Sequence, residues 1–222
     1  MLVFSNGESM TATAPSATAD VYQRLRRLIL TLQLPPGTAM SEPMLMNMLD
    51  AGRTPVREAL KRLADDRLVV IFPRRGLVVA QMGFAEVQQL FEARLAIERQ
   101  TAYLAAERAD QRDVNRLLDL NAQVHAAEER NTFAEFLEAD QVLHREIAAI
   151  ARNSFLLETA EKLLTLNLWL WYSHMERYGV QRDDFAPHHA VITAIAAHDS
   201  EAAAVAMEAH IIRSRTILRV AL

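Results

Sequence analysis

The chain of 222 residues contains no cysteine. This absence excludes a disulfide scaffold, a thiolate metal site and a cysteine nucleophile. The sequence also lacks any apolar run of about 18 residues, so it gives no sign of a membrane span. Residues 1–19 have neither a basic region nor a continuous apolar one, which argues against a signal peptide. We therefore expect a protein that stays in the cytoplasm.

The composition is that of a folded protein. It is 51% hydrophobic and 23% charged, which is too apolar for a disordered chain. At roughly 150 residues per domain, the length allows one to two domains. Residues 1–19 are rich in Ser, Thr and Ala without apolar periodicity, and they predict a mobile tail.

The charge is divided unevenly along the chain. Residues 20–82 contain ten Lys or Arg against six Asp or Glu, a net charge of +4. Residues 83–222 contain fourteen basic against twenty-one acidic residues, a net charge of -7. This division suggests that only the first part faces a polyanion, although charge alone is equally compatible with chance clustering.

Residues 20–82 predict three short helices followed by a β-hairpin, the only sheet that the sequence indicates. The hairpin is predicted because the β-branched runs 68–72 and 77–79 flank a Pro/Gly turn. A very short turn separates the second and third helices. The predicted helix starts are Asp20, Ser41 and Thr54, with Pro55 at the first position of the third helix.

Residues 83–222 predict a bundle of long amphipathic helices with short polar connections. The predicted fold is therefore mainly α, with an N-terminal winged helix-turn-helix and a C-terminal helical bundle. The predicted domains are a tail at 1–19, a domain of three helices and a hairpin at 20–82 and a helical domain at 83–222. The predicted helices of the bundle are 84–109, 113–130, 132–152, 155–178, 184–197 and 200–220.

Three helices and a hairpin with a tight turn before the third helix are typical of a winged helix-turn-helix, whose third helix enters the major groove. Arg57 on its first turn can present a bidentate fork to guanine, and Arg53 and Thr54 lie where a helix N-terminus favours phosphate. Arg75 at the hairpin tip can reach the minor groove, where Gly76 permits close approach. The alternative is a solvated basic turn on a small helical domain.

Histidines recur on apolar helix faces in the C-terminal part. Asp140 and His144 lie four residues apart on one such face, and His188 and His210 are placed similarly on later helices. Burying an unpaired carboxylate is costly, so a converging carboxylate and three imidazoles would suit Zn²⁺, Ni²⁺, Mn²⁺ or Co²⁺. For any single histidine, a hydrogen-bonded position in the core is the alternative.

Arg94 also lies on an apolar face, so its guanidinium needs an anion inside the bundle. One candidate is Glu98, four residues further along the same helix. A cluster on a later helix could line the same cavity or belong to the core or to a dimer interface; its members are Asn167, Trp169, Trp171 and Tyr172.

The segment 34–79 resembles the DNA-binding domain of GntR-family bacterial transcription regulators. The resemblance is carried by the runs LPPG at 34–37, SE at 41–42, RTPVREAL at 53–60 and PRRG at 73–76. The run RTPVREAL is highly specific to this family.

The resemblance implies which residues contact operator DNA: Arg53, Thr54 and Arg57, with Arg75 and Gly76 at the tip of the wing. Two positions depart from the family pattern. Asp50 stands where Gly is usual, and Gly52 stands where Ser or Thr is usual. The hydroxyl-to-phosphate contact of the family is therefore not expected at position 52.

The C-terminal part resembles the FCD effector domain of the FadR branch of this family. The matching pieces are Arg94 with Glu98, Asp140-x-x-x-His144, Arg152-Asn153 with Leu156-Leu157, His188-His189-Ala190-Val191-Ile192 with Ala194-Ile195, and Ala206-Met207 with His210-Ile211. The resemblance implies a divalent metal, Zn²⁺ before Ni²⁺, Mn²⁺ or Co²⁺, on Asp140, His144, His188 and His210. It also implies that Arg94 and the metal bind the carboxylate of a small metabolite, with Asn167 as a further candidate in the effector site.

The resulting hypothesis is a regulator and not an enzyme: a homodimeric repressor that binds double-stranded operator DNA and responds to a small carboxylate. One alternative is a metalloenzyme acting on a small carboxylic acid. The sequence argues against it, because we find no HExxH motif and expect no second buried carboxylate near the site. Another alternative is a helical scaffold with a structural metal.

Overall fold

A computed structural model describes residues 16–72, 76–179 and 188–219, apart from the side chain of residue 219. The predicted tail lies outside the described residues except for 16–19. Within the described part, no helix is both long and apolar enough to cross a membrane.

The N-terminal part, which we call the head, contains three helices and a small sheet. The helices are α1 (Ala17–Leu30), α2 (Glu42–Leu49) and α3 (Arg53–Asp65), and the strands are β1 (Ala39–Met40), β2 (Val69–Phe72) and β3 (Gly76–Val79). They enclose an apolar core that α1 and α3 share, which includes Leu25, Ile29, Val56 and Leu63.

Two helices of the head begin earlier than predicted. Helix α1 is capped by Ser16, whose Oγ accepts a hydrogen bond from the backbone N–H of Ala19, and not by Asp20. The predicted cap Ser41 is confirmed, because its Oγ accepts from the backbone N–H of Met44. Helix α3 starts at Arg53, so Pro55 lies at its third position and not its first.

The turn before α3 explains one departure from the family pattern. Asp50 ends α2 in the left-handed region, at φ 48° and ψ 53°. Glycine adopts this conformation without steric cost, and Asp is among the few other residues that enter it readily. The backbone geometry that a glycine would allow is therefore kept by an aspartate.

The sheet has three antiparallel strands in the order β1-β3-β2, one more than predicted. Strand β1 was missed because it has only two residues, and Met40 pairs with Leu77. Gly76 at the start of β3 has φ 95°, and a Cβ there would lie 3.3 Å from the carbonyl oxygen of Met40. This position therefore requires glycine.

The C-terminal part, which we call the body, is an all-helical bundle. Its helices are α4 (Phe84–Arg108), α5 (Gln111–Glu129), α6 (Phe133–Ile150), α7 (Ser154–Tyr178), α8 (His189–Ala196) and α9 (Ser200–Arg219). Helix α4 is central, since it packs against α6, α7, α8 and α9. The predicted helix bounds agree to within a few residues, except that α8 begins at His189; residues 184–187 of its predicted start lie outside the described part.

The head joins the body through residues 80–83, between β3 and α4. A second contact lies between α1 and α7. There the Arg26 guanidinium donates a hydrogen bond of 2.9 Å to Oγ1 of Thr165.

Candidate metal centre and DNA-binding surface

Helix α3 presents the predicted DNA-contacting residues at the surface of the head. Arg53, Thr54 and Arg57 are all exposed on its first turns. The N-cap, Gly52, makes no side-chain cap hydrogen bond, so backbone N–H groups of the first turn remain available to a phosphate. Gly76 lies at the edge of the wing, whereas Arg75 lies outside the described residues.

Glu42 is a neighbour of this surface that the sequence did not indicate. Its Oε2 lies 3.4 Å from Nε of Arg53, and its Oε1 lies 3.4 Å from Nε of Arg57. Glu42 is the first residue of α2, and the tight turn at Asp50 brings it beside α3. One carboxylate thus faces both arginines that would contact DNA.

In the body, the four predicted metal ligands come together. Asp140 and His144 lie one turn apart on α6, His188 directly precedes α8, and His210 lies on α9. One ligand atom from each residue can be chosen so that all four lie within 4.8 Å of one another. All three histidines are buried, and Asp140 is partly buried.

The donor set fits a divalent transition metal. Nε2 of His144 lies 3.1 Å from Nε2 of both His188 and His210, and Oδ1 of Asp140 lies 2.9 Å from Nε2 of His188. A neutral imidazole nitrogen either donates or accepts, so three converging nitrogens cannot all satisfy one another. Three imidazoles and a carboxylate are ligands that Zn²⁺ and its neighbours in the first transition row accept.

Glu98 orients one of these histidines from behind. Its Oε2 lies 2.5 Å from Nδ1 of His144, and its Oε1 accepts a hydrogen bond of 2.6 Å from Nε of Arg94. Arg94 in turn donates a bond of 2.6 Å to Oδ1 of Asn167 on α7. Because the carboxylate favours a proton on Nδ1, the neutral form of His144 carries its lone pair on Nε2, which faces the cluster.

Burial and charge act in opposite directions on the carboxylates and on His144. Burial raises the pKa of Glu98, but Arg94 and His144 outweigh it and bring that pKa down to about 2. Burial likewise opposes ionisation of Asp140, yet His144 and His188 hold its pKa well below its ordinary value. Burial disfavours the charged form of His144, but Glu98 and Asp140 together raise its pKa. Both carboxylates are therefore ionised at neutral pH.

The pKa values of the other two histidines shift in the opposite direction to that of His144. Burial, as the largest cause, lowers the pKa of His188, although Asp140 counteracts it. Burial and the neighbouring His188 and His144 lower the pKa of His210 well below its ordinary value. Both imidazoles are thereby kept in the neutral form that binds a metal.

The two predicted effector residues meet in the interior. Arg94 does pair with Glu98, as one alternative proposed, and it also contacts Asn167. Its remaining nitrogen, Nη2, makes no hydrogen bond with any described residue.

The aromatic residues after Asn167 do not join this group. Trp171 packs edge-on against Phe133 in the core, with ring centroids 5.8 Å apart. Burial and the Glu138 carboxylate raise the pKa of Tyr172, and Trp169 lines a separate cavity.

One expectation about the site is wrong. The sequence gave no reason to place a second carboxylate beside the cluster, yet Glu98 is buried and in contact with His144. The two residues are 46 positions apart, so helix periodicity cannot relate them. The pairing of Glu98 with Arg94 was visible, but its second contact depends on how α4 packs against α6.

Comparison with known proteins accounts for both parts of the chain. The profile of bacterial regulatory proteins of the gntR family matches residues 17–79, and the FCD domain profile matches residues 89–213. The chain is 31% identical over 148 residues, 65% of this chain and 85% of the relative, to an HTH-type transcriptional regulator in the TAR-I ttuE-ttuC' intergenic region of Agrobacterium vitis. It is 29% identical over 192 residues, 86% of this chain and 84% of the relative, to the HTH-type transcriptional repressor RspR of Escherichia coli strain K12.

The fold is shared with a solved structure, that of McbR/YncC from E. coli. The TM-score is 0.79 at 21% sequence identity, and the alignment covers 93% of this chain and 99% of the other. Domain profiles, relatives and fold agree with the winged helix-turn-helix and the helical bundle that the sequence predicted, and the profiles and relatives indicate a transcription regulator and not the metalloenzyme alternative. The chain is a transcription regulator of the GntR family, with an FCD domain following its DNA-binding domain.

Proposed function

We propose that the protein is a homodimeric repressor whose body senses a small carboxylate metabolite with the help of a bound divalent metal. The observation that carries this proposal is the convergence of Asp140, His144, His188 and His210 within 4.8 Å of one another, backed by the buried pair of Arg94 and Glu98. The four residues belong to α6, α9 and the start of α8, so the proposed metal site is part of the body.

The four converging residues would hold the metal, with Zn²⁺ as the first candidate and Ni²⁺, Mn²⁺ or Co²⁺ as alternatives. A bound cation would supply positive charge and a coordination position for an oxygen of the effector. The protein itself contributes Arg94, whose Nη2 makes no hydrogen bond with a described residue and so offers a further donor to a carboxylate, and Asn167, whose Oδ1 accepts a hydrogen bond from the guanidinium. The cluster and Arg94 together favour an anionic ligand.

The head would bind double-stranded operator DNA through the surface of α3 and the wing. Arg53, Thr54 and Arg57 are exposed in positions suited to phosphate and base contacts, and we assign Arg75 and Gly76 to the wing tip. This assignment divides the chain into a tail at 1–19, a head at 20–82 and a body at 83–222. A protein that acts on bacterial operator DNA works in the cytoplasm.

Repression and dimerisation are supported by the relatives and by the mode of binding. Two relatives from E. coli are named repressors. One is RspR, and the other is GlaR, to which the chain is 26% identical over 212 residues. Two heads held by a dimer would read a palindromic site. Effector binding would change the spacing of the two heads if the dimer has two geometries that bind the effector with different affinity. The free energy that couples effector binding to DNA binding in such a system is typically about 1–3 kcal/mol.

Elemental analysis of the purified full-length chain tests the metal site. We expect stoichiometric divalent metal in the wild type and in His125→Ala, since His125 is an exposed histidine of α5 paired with Glu128. We expect loss of the metal in His144→Ala, because this change removes a central ligand. Full metal occupancy in His144→Ala would refute the proposed ligand set.

A further inference from the structure

A cavity of about 300 Å³ lies between the head and the body, and none of the four clustered ligands lines it. Its walls come from four places. They are Pro36 in the turn after α1, Met82 in residues 80–83, which we call the linker, Trp169 and Arg177 on α7, and Leu218 on α9. A volume of this size is at the small end of the range for small-molecule sites, roughly 300–1,000 Å³. A molecule held here would contact the head, the linker and the body at once.

The ionisable side chains that line the cavity are basic. Arg177 and the buried His174 line it, and no Asp or Glu does so among the described residues. Within the described part of the chain, Arg177 forms no ion pair, and its guanidinium lies 5.4 Å from the ring centroid of Tyr178. Arg177 is exposed at the edge of the cavity, so its guanidinium is available to an anionic group of a molecule bound there.

The larger cavity between the same two parts offers a contrast. It measures about 590 Å³, and its lining mixes cations with acids, including Lys162 with Glu158 and Arg145 with Glu161. Those pairs are already formed, at 3.0 Å and 2.6 Å. The described lining of that cavity therefore balances its basic side chains with acidic ones, whereas the described lining of the cavity at Arg177 includes no acidic side chain.

The remainder of the smaller cavity favours an apolar body on the ligand. Trp169, Leu170 and Met82 form an aromatic and aliphatic wall. The indole Nε1–H of Trp169 is buried and finds no hydrogen-bond acceptor among the described residues. Ser173 on the same helix donates its hydroxyl proton to the Trp169 carbonyl, so this proton is already used within the helix.

We propose that this cavity is a second ligand site, which binds a small monocarboxylate with an aromatic or branched apolar body. The carboxylate pairs with Arg177, and the apolar part packs against Trp169 and Met82. The site is independent of the metal cluster, and its ligand bridges the head to the body at the linker.

Titration of the full-length protein with benzoate tests the proposal, with indole-3-acetate as a larger probe. Binding is measured by calorimetry and by tryptophan fluorescence, which reports from this region because Trp169 is one of only two tryptophans in the chain. We expect saturable binding of at least one probe. Benzamide, which has the same shape as benzoate without its charge, should bind at least about tenfold more weakly, because a charge-assisted hydrogen bond contributes roughly 1.5–3 kcal/mol.

Variants locate the site. Arg177→Gln should weaken carboxylate binding by at least about tenfold, Arg177→Lys should retain part of the affinity, and Arg116→Gln, at an exposed position on α5, should bind as the wild type does. Loss of binding in Arg177→Gln with the metal content unchanged would separate this site from the metal centre. Unchanged affinity in Arg177→Gln, or no saturable binding of either probe to the wild type, would overturn the proposal.

Discussion

The head and the body place their functional side chains in opposite environments. In the head, Arg53, Thr54 and Arg57 lie within one stretch of a single helix and are exposed to solvent. In the body, the ligand cluster is assembled from α6, α9 and the residue before α8, and its histidines are buried. The surface that faces DNA is built from local sequence, whereas the proposed metal site needs contacts across the fold.

This difference has an energetic consequence. An exposed arginine that loses its partner is stabilised by water, so changes at the head should affect DNA binding more than folding. A buried charge has no such alternative, so each charged group in the body depends on its neighbours. The chain from Asn167 through Arg94 and Glu98 to His144 is the clearest example, because every link is 2.6 Å or shorter.

The largest effect is expected at Glu98. Glu98→Ala removes the partner of Arg94, which is only 1% exposed, so an uncompensated charge is left in the core. We expect a loss of about 3–5 kcal/mol in the free energy of unfolding, measured by urea denaturation. Glu98→Gln, which keeps the shape and part of the hydrogen bonding, should lose less. A loss below about 1 kcal/mol in Glu98→Ala would show that the buried network does not stabilise the body in this way.

The next largest effect is expected at Arg57, where DNA binding and not the stability of the fold should change. Arg57→Ala removes an exposed guanidinium suited to a bidentate base contact, so operator affinity should fall by about 1–3 kcal/mol while the stability changes by no more than about 0.5 kcal/mol. A gel-shift titration of promoter fragments at fixed salt measures the affinity. The matched control is Arg116→Ala, a change at an exposed arginine of the body. Equal operator affinities for wild type and Arg57→Ala would remove this residue from the DNA-binding surface.

The smallest effect is expected at Glu42, which faces both arginines of the head. Binding to phosphate requires Arg53 and Arg57 to leave this carboxylate, and each contact is a solvent-accessible pair at 3.4 Å. Glu42→Gln should therefore strengthen binding to random duplex DNA by about 0.2–1 kcal/mol, as measured by fluorescence anisotropy at low salt. Glu58→Gln provides a comparison, because Glu58 lies on α3 and pairs with Lys61 of that helix, whereas Glu42 faces Arg53 and Arg57. Weaker binding in Glu42→Gln would mean that the glutamate positions the arginines for DNA and does not compete for them.

The same contrast explains how much the sequence could predict. Helix periodicity, the Ser41 cap and the run at 53–60 were enough for the fold class and the DNA-binding helix, because these signals are local. The resemblance to the family supplied the four candidate metal ligands, which the fold brings together. That Arg94 would be buried could be inferred from its position on an apolar helix face.

What the sequence could not show depends on packing between distant segments. Strand β1 is too short to leave a pattern, and it exists because β3 offers it an edge. The contact of Glu98 with His144 and that of Glu42 with the arginines both join different helices. The cavity beside Arg177 has walls from both parts of the chain, so no single segment indicates it.

X-ray absorption spectroscopy of the natively purified protein, recorded at the edge of the metal found by elemental analysis, tests the central claim most directly. For zinc, we expect first-shell nitrogen and oxygen atoms at about 2.0–2.2 Å from the metal ion, together with outer-shell scattering from imidazole rings. This scattering should weaken in His210→Ala, which removes the ligand on α9. A spectrum without imidazole scattering, or one unchanged in His210→Ala, would contradict the claim that the buried cluster of the body holds a metal ion.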